Sequence, residues 1–166
     1  MGKDDKVKAT KLEVNLPFKL GKLVFEPDEV QQKAAWELYV ELTTRIAVEP
    51  LGKDEGLVRE ALSSLYRLFD ITRDILRRAG PVVAMGDNSL GPVAIDVLNK
   101  GLRPFLAKWH PALQTYEKQR PDDISPREHE DNWDHIREAR EELENLRKEL
   151  SIYADALAKI AGISGI

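Results

Sequence analysis

Apolar positions along the chain recur first with period two and then with a period near 3.6, so a short β segment is predicted ahead of four helical stretches. Leu12, Val14 and Leu16 alternate with Lys11, Glu13 and Asn15, the pattern of a half-buried strand. Leu23-Val24-Phe25 follows after Pro17 and Gly21, and residues 11–16 and 22–26 are predicted to pair as a hairpin. A lone hairpin is marginal in water, so this one should pack on helices.

The first helix is predicted from about Asp28 to Val48. Asp28 with Gln31 three residues on is a start signal, and Pro50 and Gly52 stop it. Ala35, Leu38, Tyr39, Leu42 and Ile46 share one face at about 100° per residue. The second helix spans about 54–79, with a continuous stripe from Leu57 and Val58 to Ile75 and Leu76 and a stop at Gly80-Pro81. Arg77 and Arg78 sit in its last turn, where cations suit the helix dipole.

A third helix is expected over about 90–118, striped by Ile95, Leu98, Leu102, Phe105, Leu106, Trp109, Leu113 and Tyr116. Interior Pro104 predicts a kink near Lys100-Gly101, and Pro111 predicts a distortion or an early end. The fourth helix opens at Ser125-Pro126-Arg127-Glu128, a capping box with proline at the first helical position, and is read as continuous over about 126–161. Ile136, Leu143, Leu150 and Leu157 recur every seven residues, flanked by Ala139, Leu146, Tyr153 and Ile160. Short connections between long helices predict an all-α, up-down-up-down four-helix bundle with a short N-terminal β-hairpin. Residues 11–166 form this single domain, after a charged, flexible stretch at 1–10.

Composition narrows the function classes. With 166 residues, 42% apolar and 33% charged, the chain can build a hydrophobic core. A net charge of -4 weighs against non-specific nucleic-acid binding. No cysteine is present, which excludes disulfides, zinc thiolates and cysteine nucleophiles and fits the cytoplasm. Met1-Gly2-Lys3-Asp4-Asp5-Lys6 lacks the apolar run of a secretory signal, and no stretch reaches the length of a membrane span.

Candidate chemistry is sparse. Asp131 and His135 share a helix face, but Asn132 stands where a Glu-x-x-His metal motif needs its glutamate, so no metal and no cofactor are expected. His110, between Trp109 and Pro111, is a candidate general base, yet no motif places a serine, threonine or carboxylate partner beside it and a structural role is expected. Gly86-Asp87-Asn88-Ser89 lacks the Gly-Lys-Ser/Thr of a phosphate loop and is read as a turn with a helix cap. Arg73, Arg77, Lys100 and Arg103 are expected to pair across two antiparallel helices, Asp70 with Lys100 and Arg103, and Asp96 with Arg73 and Arg77.

A second apolar face is harder to place. Trp36, Val40, Thr43 and Ala47 line a side of the first helix about 100–130° from its core stripe, and Val93 and Val97 leave the stripe of the third. The hairpin can cover some of these but not all. Part of the Trp36–Val40 face is therefore expected to be a surface for a protein partner or for self-association.

Ala34-Ala35-Trp36-Glu37-Leu38-Tyr39-Val40-Glu41-Leu42, the run from Arg59 to Arg77 and Leu102 to Pro111 together resemble an uncharacterised family of bacterial hypothetical proteins with no assigned function. The resemblance covers most of the chain. It implies a bacterial, cytosolic protein and carries no activity, cofactor or site. The reading reached from residues is a non-enzymatic interaction or scaffold subunit. A metal- or small-ligand-binding bundle enzyme and a nucleic-acid accessory protein are the alternatives.

Overall fold

The computed structural model describes residues 11–45, 52 and 55–163. The stretch 1–10, Ile46, Ala47 and Val48 at the expected end of the first helix, and Asp54 at the expected start of the second, lie outside the described residues.

Strands β1 (Leu12–Asn15) and β2 (Lys22–Phe25) pair antiparallel, with Leu12 opposite Phe25 and Val14 opposite Leu23. Their shared face is apolar, and Val14 and Phe25 are wholly buried. The Leu20 N–H donates to the Pro17 carbonyl at 3.1 Å, with Phe18 (φ 54°) and Lys19 (φ 59°) both left-handed between them. Such turns favour Gly or Asn at these positions, because a β-carbon is crowded there. Tertiary contacts hold the tip. The Phe18 N–H donates to a Glu149 carboxylate oxygen at 2.7 Å, and the Phe18 ring lies against Gly101.

Helix α1 (Glu29–Thr43) starts as expected, its cap Asp28 accepting from the Gln31 N–H at 2.8 Å, and buries Ala34, Ala35, Leu38, Tyr39 and Leu42. Helix α2 (Val58–Ala79) buries Leu62, Leu65, Leu68, Phe69 and Ile75. It starts a turn later than expected, and Leu57 at its cap position has no side chain to satisfy the first N–H groups. Gly80 (φ 78°) ends it and leads into a 3₁₀ turn, Pro81–Ala84.

The third expected helix is helical throughout but irregular. Helix α3 (Leu90–Asp96) passes through a π-helical turn, Val97–Leu102, into α4 (Arg103–Glu117). The π turn falls where a kink was expected, with Pro104 in the first turn after it. It also corrects the stripe. Ile95 is 47% exposed, while Val93, Ala94 and Val97 are buried. The wider turn accommodates an extra residue, so a face extrapolated backwards at 100° per residue loses phase there. Pro111 does not end α4, which runs on to Glu117.

The fourth expected helix is two. Helix α5 (Pro126–Asp131), capped by the Ser125 hydroxyl accepting from the Glu128 N–H at 3.1 Å, stops at Asn132. Helix α6 (Ile136–Ala161) then carries the heptad seam, with Leu150 and Leu157 wholly buried and Leu143 and Leu146 nearly so. The break buries Trp133 against Trp109, ring centroids 5.6 Å apart, which a straight helix through 132–135 would have to place differently.

Helix α1 packs on α6 and α2, α2 on α4, and β1 on α6. The Trp109 indole N–H donates to Glu142 at 2.6 Å and ties α4 to α6. Arg59 bonds Glu117, while Arg103 covers the Phe69 ring, so α2 and α4 run antiparallel as expected. The surface ions pair differently from expectation. Arg73 meets Asp70 and Lys100 meets Asp96 within single helices, because side chains three and four apart are already neighbours. Among the described residues no helix is long and apolar enough to cross a membrane.

Candidate functional site

The side of α1 that does not face the core carries Trp36, 43% exposed, and Val40, 36% exposed, one helical turn apart. The Trp36 ring stacks on Tyr39, with centroids 6.1 Å apart, which holds the indole against the helix. Together with Ile71, Asp74, Ile75, Arg77 and Arg78 of α2 and with Glu37 and Glu41, these two residues line an open groove of about 690 Å³. Glu37 and Arg78 bridge the two helices at 3.5 Å. A second hollow of about 200 Å³, lined by Val30, Lys33, Ala34, Glu37, Arg78 and Ala79, shares that bridge and extends the depression along the same two helices.

The sequence-expected surface is brought together only in part. Trp36 and Val40 line the groove. Thr43 does not line it, being half-buried with its hydroxyl donating to the Tyr39 carbonyl at 2.8 Å. Ala47 lies outside the described residues. The hairpin packs on α6 instead of covering Trp36. On α3 the second apolar face is core, with Val93 and Val97 buried.

The histidines elsewhere make contacts within the fold. His110 Nδ1 accepts from an Arg59 guanidinium nitrogen at 2.9 Å, and its ring meets Tyr66 edge-on at 5.0 Å. His129 is buried, stacked on Tyr116 at 3.9 Å; its Nε2 lies 2.8 Å from the Tyr116 carbonyl, and the Tyr116 hydroxyl donates to the His129 carbonyl at 2.6 Å. Asp131 and His135, which share a face in the sequence reading, are both exposed, and His135 faces Glu138 at 3.7 Å. Among the described residues no group of three or more His, Asp or Glu side chains is arranged to hold a metal ion. Asn88, in the turn before α3, donates to the Val24 carbonyl at 2.9 Å.

Two buried polar residues act as caps delivered from other elements: Glu130, which the sequence analysis did not single out, and Gln31, which it read only as part of the start signal of its own helix. Glu130 on α5 accepts from the Val58 N–H at 2.6 Å and the Arg59 N–H at 3.2 Å, closing the start of α2. Burial pushes its carboxyl pKa up, against the pull of those two N–H donors and of Arg140. The Gln31 side-chain oxygen likewise accepts from the Leu90 N–H at 3.1 Å at the start of α3. The sequence carried no signal for either: the second helix was expected to start near Asp54, and Ser89, expected to cap the third, makes no cap bond with its hydroxyl. Compared with protein-family models, with curated proteins and with solved structures, the chain matches none.

Proposed function

We propose that the protein acts without catalysis, as an interaction subunit whose docking surface is the α1–α2 groove. A half-exposed tryptophan in an open groove carries this reading. Trp36 and Val40 place apolar area in water one turn apart, over a floor that includes Ile71. Tryptophan is the residue that most often anchors an interface, because it offers a large contact area at small entropic cost. Charged side chains rim the groove, as an interface that must also exist uncovered in water requires. In the same reading the long helical stretches make one up-down-up-down bundle, working in the cytosol of a bacterium.

A photo-crosslinking side chain at Val40, introduced into the full chain in the producing cells, tests this. The expected result is a defined protein adduct that is absent when the same group is carried at exposed Lys148 and is lost when Trp36→Ala is added. No adduct at Val40, or equal adducts at both positions, refutes the reading.

A further inference from the structure

We infer that the occupant of the groove is a second copy of this chain, its α1 lying antiparallel to the first about a two-fold axis near Trp36 and Val40. The inference rests on the reading of the groove as a docking surface and adds the partner's identity from the charge pattern along it.

Lys33 and Glu41 lie two turns apart on α1, roughly 12 Å along its axis. Helix α2 runs the opposite way, as the Glu37–Arg78 and Arg45–Ser64 contacts fix. Asp74, one turn before Arg78, therefore sits toward the Glu41 end, and Arg78 toward the Lys33 end. Glu41 and Arg78 are each bridged within the chain, to Arg45 at 3.0 Å and to Glu37 at 3.5 Å, so the charge left across the groove is Asp74 at one end and Lys33 and Arg77 at the other, about an apolar centre. The middle of the groove is crossed by the Glu37–Arg78 bridge, which is already neutral.

A two-fold operation reverses direction. It lays the Lys33 end of each copy on the Glu41 and Asp74 end of the other, and sets Trp36 of one copy beside Val40 of its mate. Apolar and ionic contacts then occur twice, which is what a self-complementary isologous interface requires. A second α1 laid parallel would meet like charge at both ends. The groove spans only about three helical turns, so the dimer is weak and reversible, with a Kd on the order of micromolar or higher.

Sedimentation of the purified full chain over a concentration series, at low and at moderate salt, reads this directly. A monomer–dimer equilibrium weakened by salt is expected. Trp36→Ala should raise Kd about tenfold or more, and Val40→Glu should do the same. Lys33→Glu and Glu41→Lys should each weaken self-association, since each sets like charges together at both ends. Mixed in equal amounts they should form a heterodimer about tenfold tighter than either variant alone, because every end contact becomes complementary. Glu41→Lys also gives up the contact with Arg45 of its own chain, so Asp74→Lys is paired with Lys33→Glu beside it. Circular dichroism confirms that each variant is folded before it is compared.

A wild type that stays monomeric, a dimer indifferent to both Trp36→Ala and Val40→Glu, or mixtures no tighter than their components would overturn the proposal. If the chain is monomeric but the Val40 adduct still forms with a different protein, the docking surface stands and the second-copy assignment falls. If neither forms, both fall.

Discussion

Gly101→Ala, made alone and together with Phe18→Ala, measures how tightly the hairpin tip is locked to the π-helical turn. A β-carbon on Gly101 would stand 2.4 Å from one Phe18 ring carbon, with two more at 2.5 and 2.6 Å. Carbon–carbon contact is comfortable at about 3.5–4.0 Å, so the ring would have to retreat by about 1 Å. Its backbone resists, because the Phe18 N–H is held by Glu149 at 2.7 Å and Phe18 and Lys19 are both left-handed. Overpacking of this kind costs about 1–3 kcal/mol. Alanine in place of glycine inside a helix returns about 0.8–1.0 kcal/mol. The net effect in the wild type is a loss of up to about 2 kcal/mol. With Phe18→Ala the obstruction is gone, and the same change should stabilise by about 1 kcal/mol. Urea unfolding of the four proteins gives the coupling, expected at about 1–3 kcal/mol. Equal effects of Gly101→Ala in the two backgrounds, within about 0.5 kcal/mol, would refute the contact as drawn.

Leu150 is wholly buried in the α6 seam, so Leu150→Ala should cost about 2–5 kcal/mol in denaturant unfolding. Glu130→Ala strips both cap bonds from the start of α2 and should cost about 1–3 kcal/mol. Because burial raises the Glu130 pKa above the unfolded value of 4.5, its ionisation opposes folding. The stability it contributes is therefore full below about pH 4.5 and is lost as pH rises through the folded pKa. Thermal melts of wild type and Glu130→Gln across that range should diverge, wild type losing stability relative to the variant as pH rises, and parallel curves would contradict the assignment. The Tyr153 hydroxyl is buried with no hydrogen-bond partner among the described residues, and burial pushes its pKa up. Tyr153→Phe should accordingly be neutral or stabilise by up to about 1 kcal/mol, read as a melting-temperature shift.

Local pattern was enough for the elements with uninterrupted periodicity. Alternation marked the hairpin, Asp28 and Ser125 marked two helix starts, and the seam from Leu143 to Ile160 marked the buried face of α6. Each of these rests on residues within a turn or two of one another, where geometry is set by the chain itself. The second apolar face of α1 was legible for the same reason: Trp36 and Val40 fall off the core stripe by simple rotation.

Tertiary structure decided whatever depends on residues far apart in the chain. The exposure of Ile95 follows from a π turn that no single residue announces, and Gly101 within it makes room for Phe18, 83 positions away in the chain. The start of α2 lacks a capping residue of its own and takes one from α5, 71 and 72 positions on. The break at Asn132 follows a capping box that predicts where a helix begins, and local signals there did not say where it ends. Which apolar faces are covered is likewise settled by which elements meet: Val93 and Val97 became core, and Trp36 and Val40 were left in water. Periodicity tells which side of a helix is apolar. What lies against that side is a matter of packing among distant segments, and that is where the groove on α1 and α2 was made.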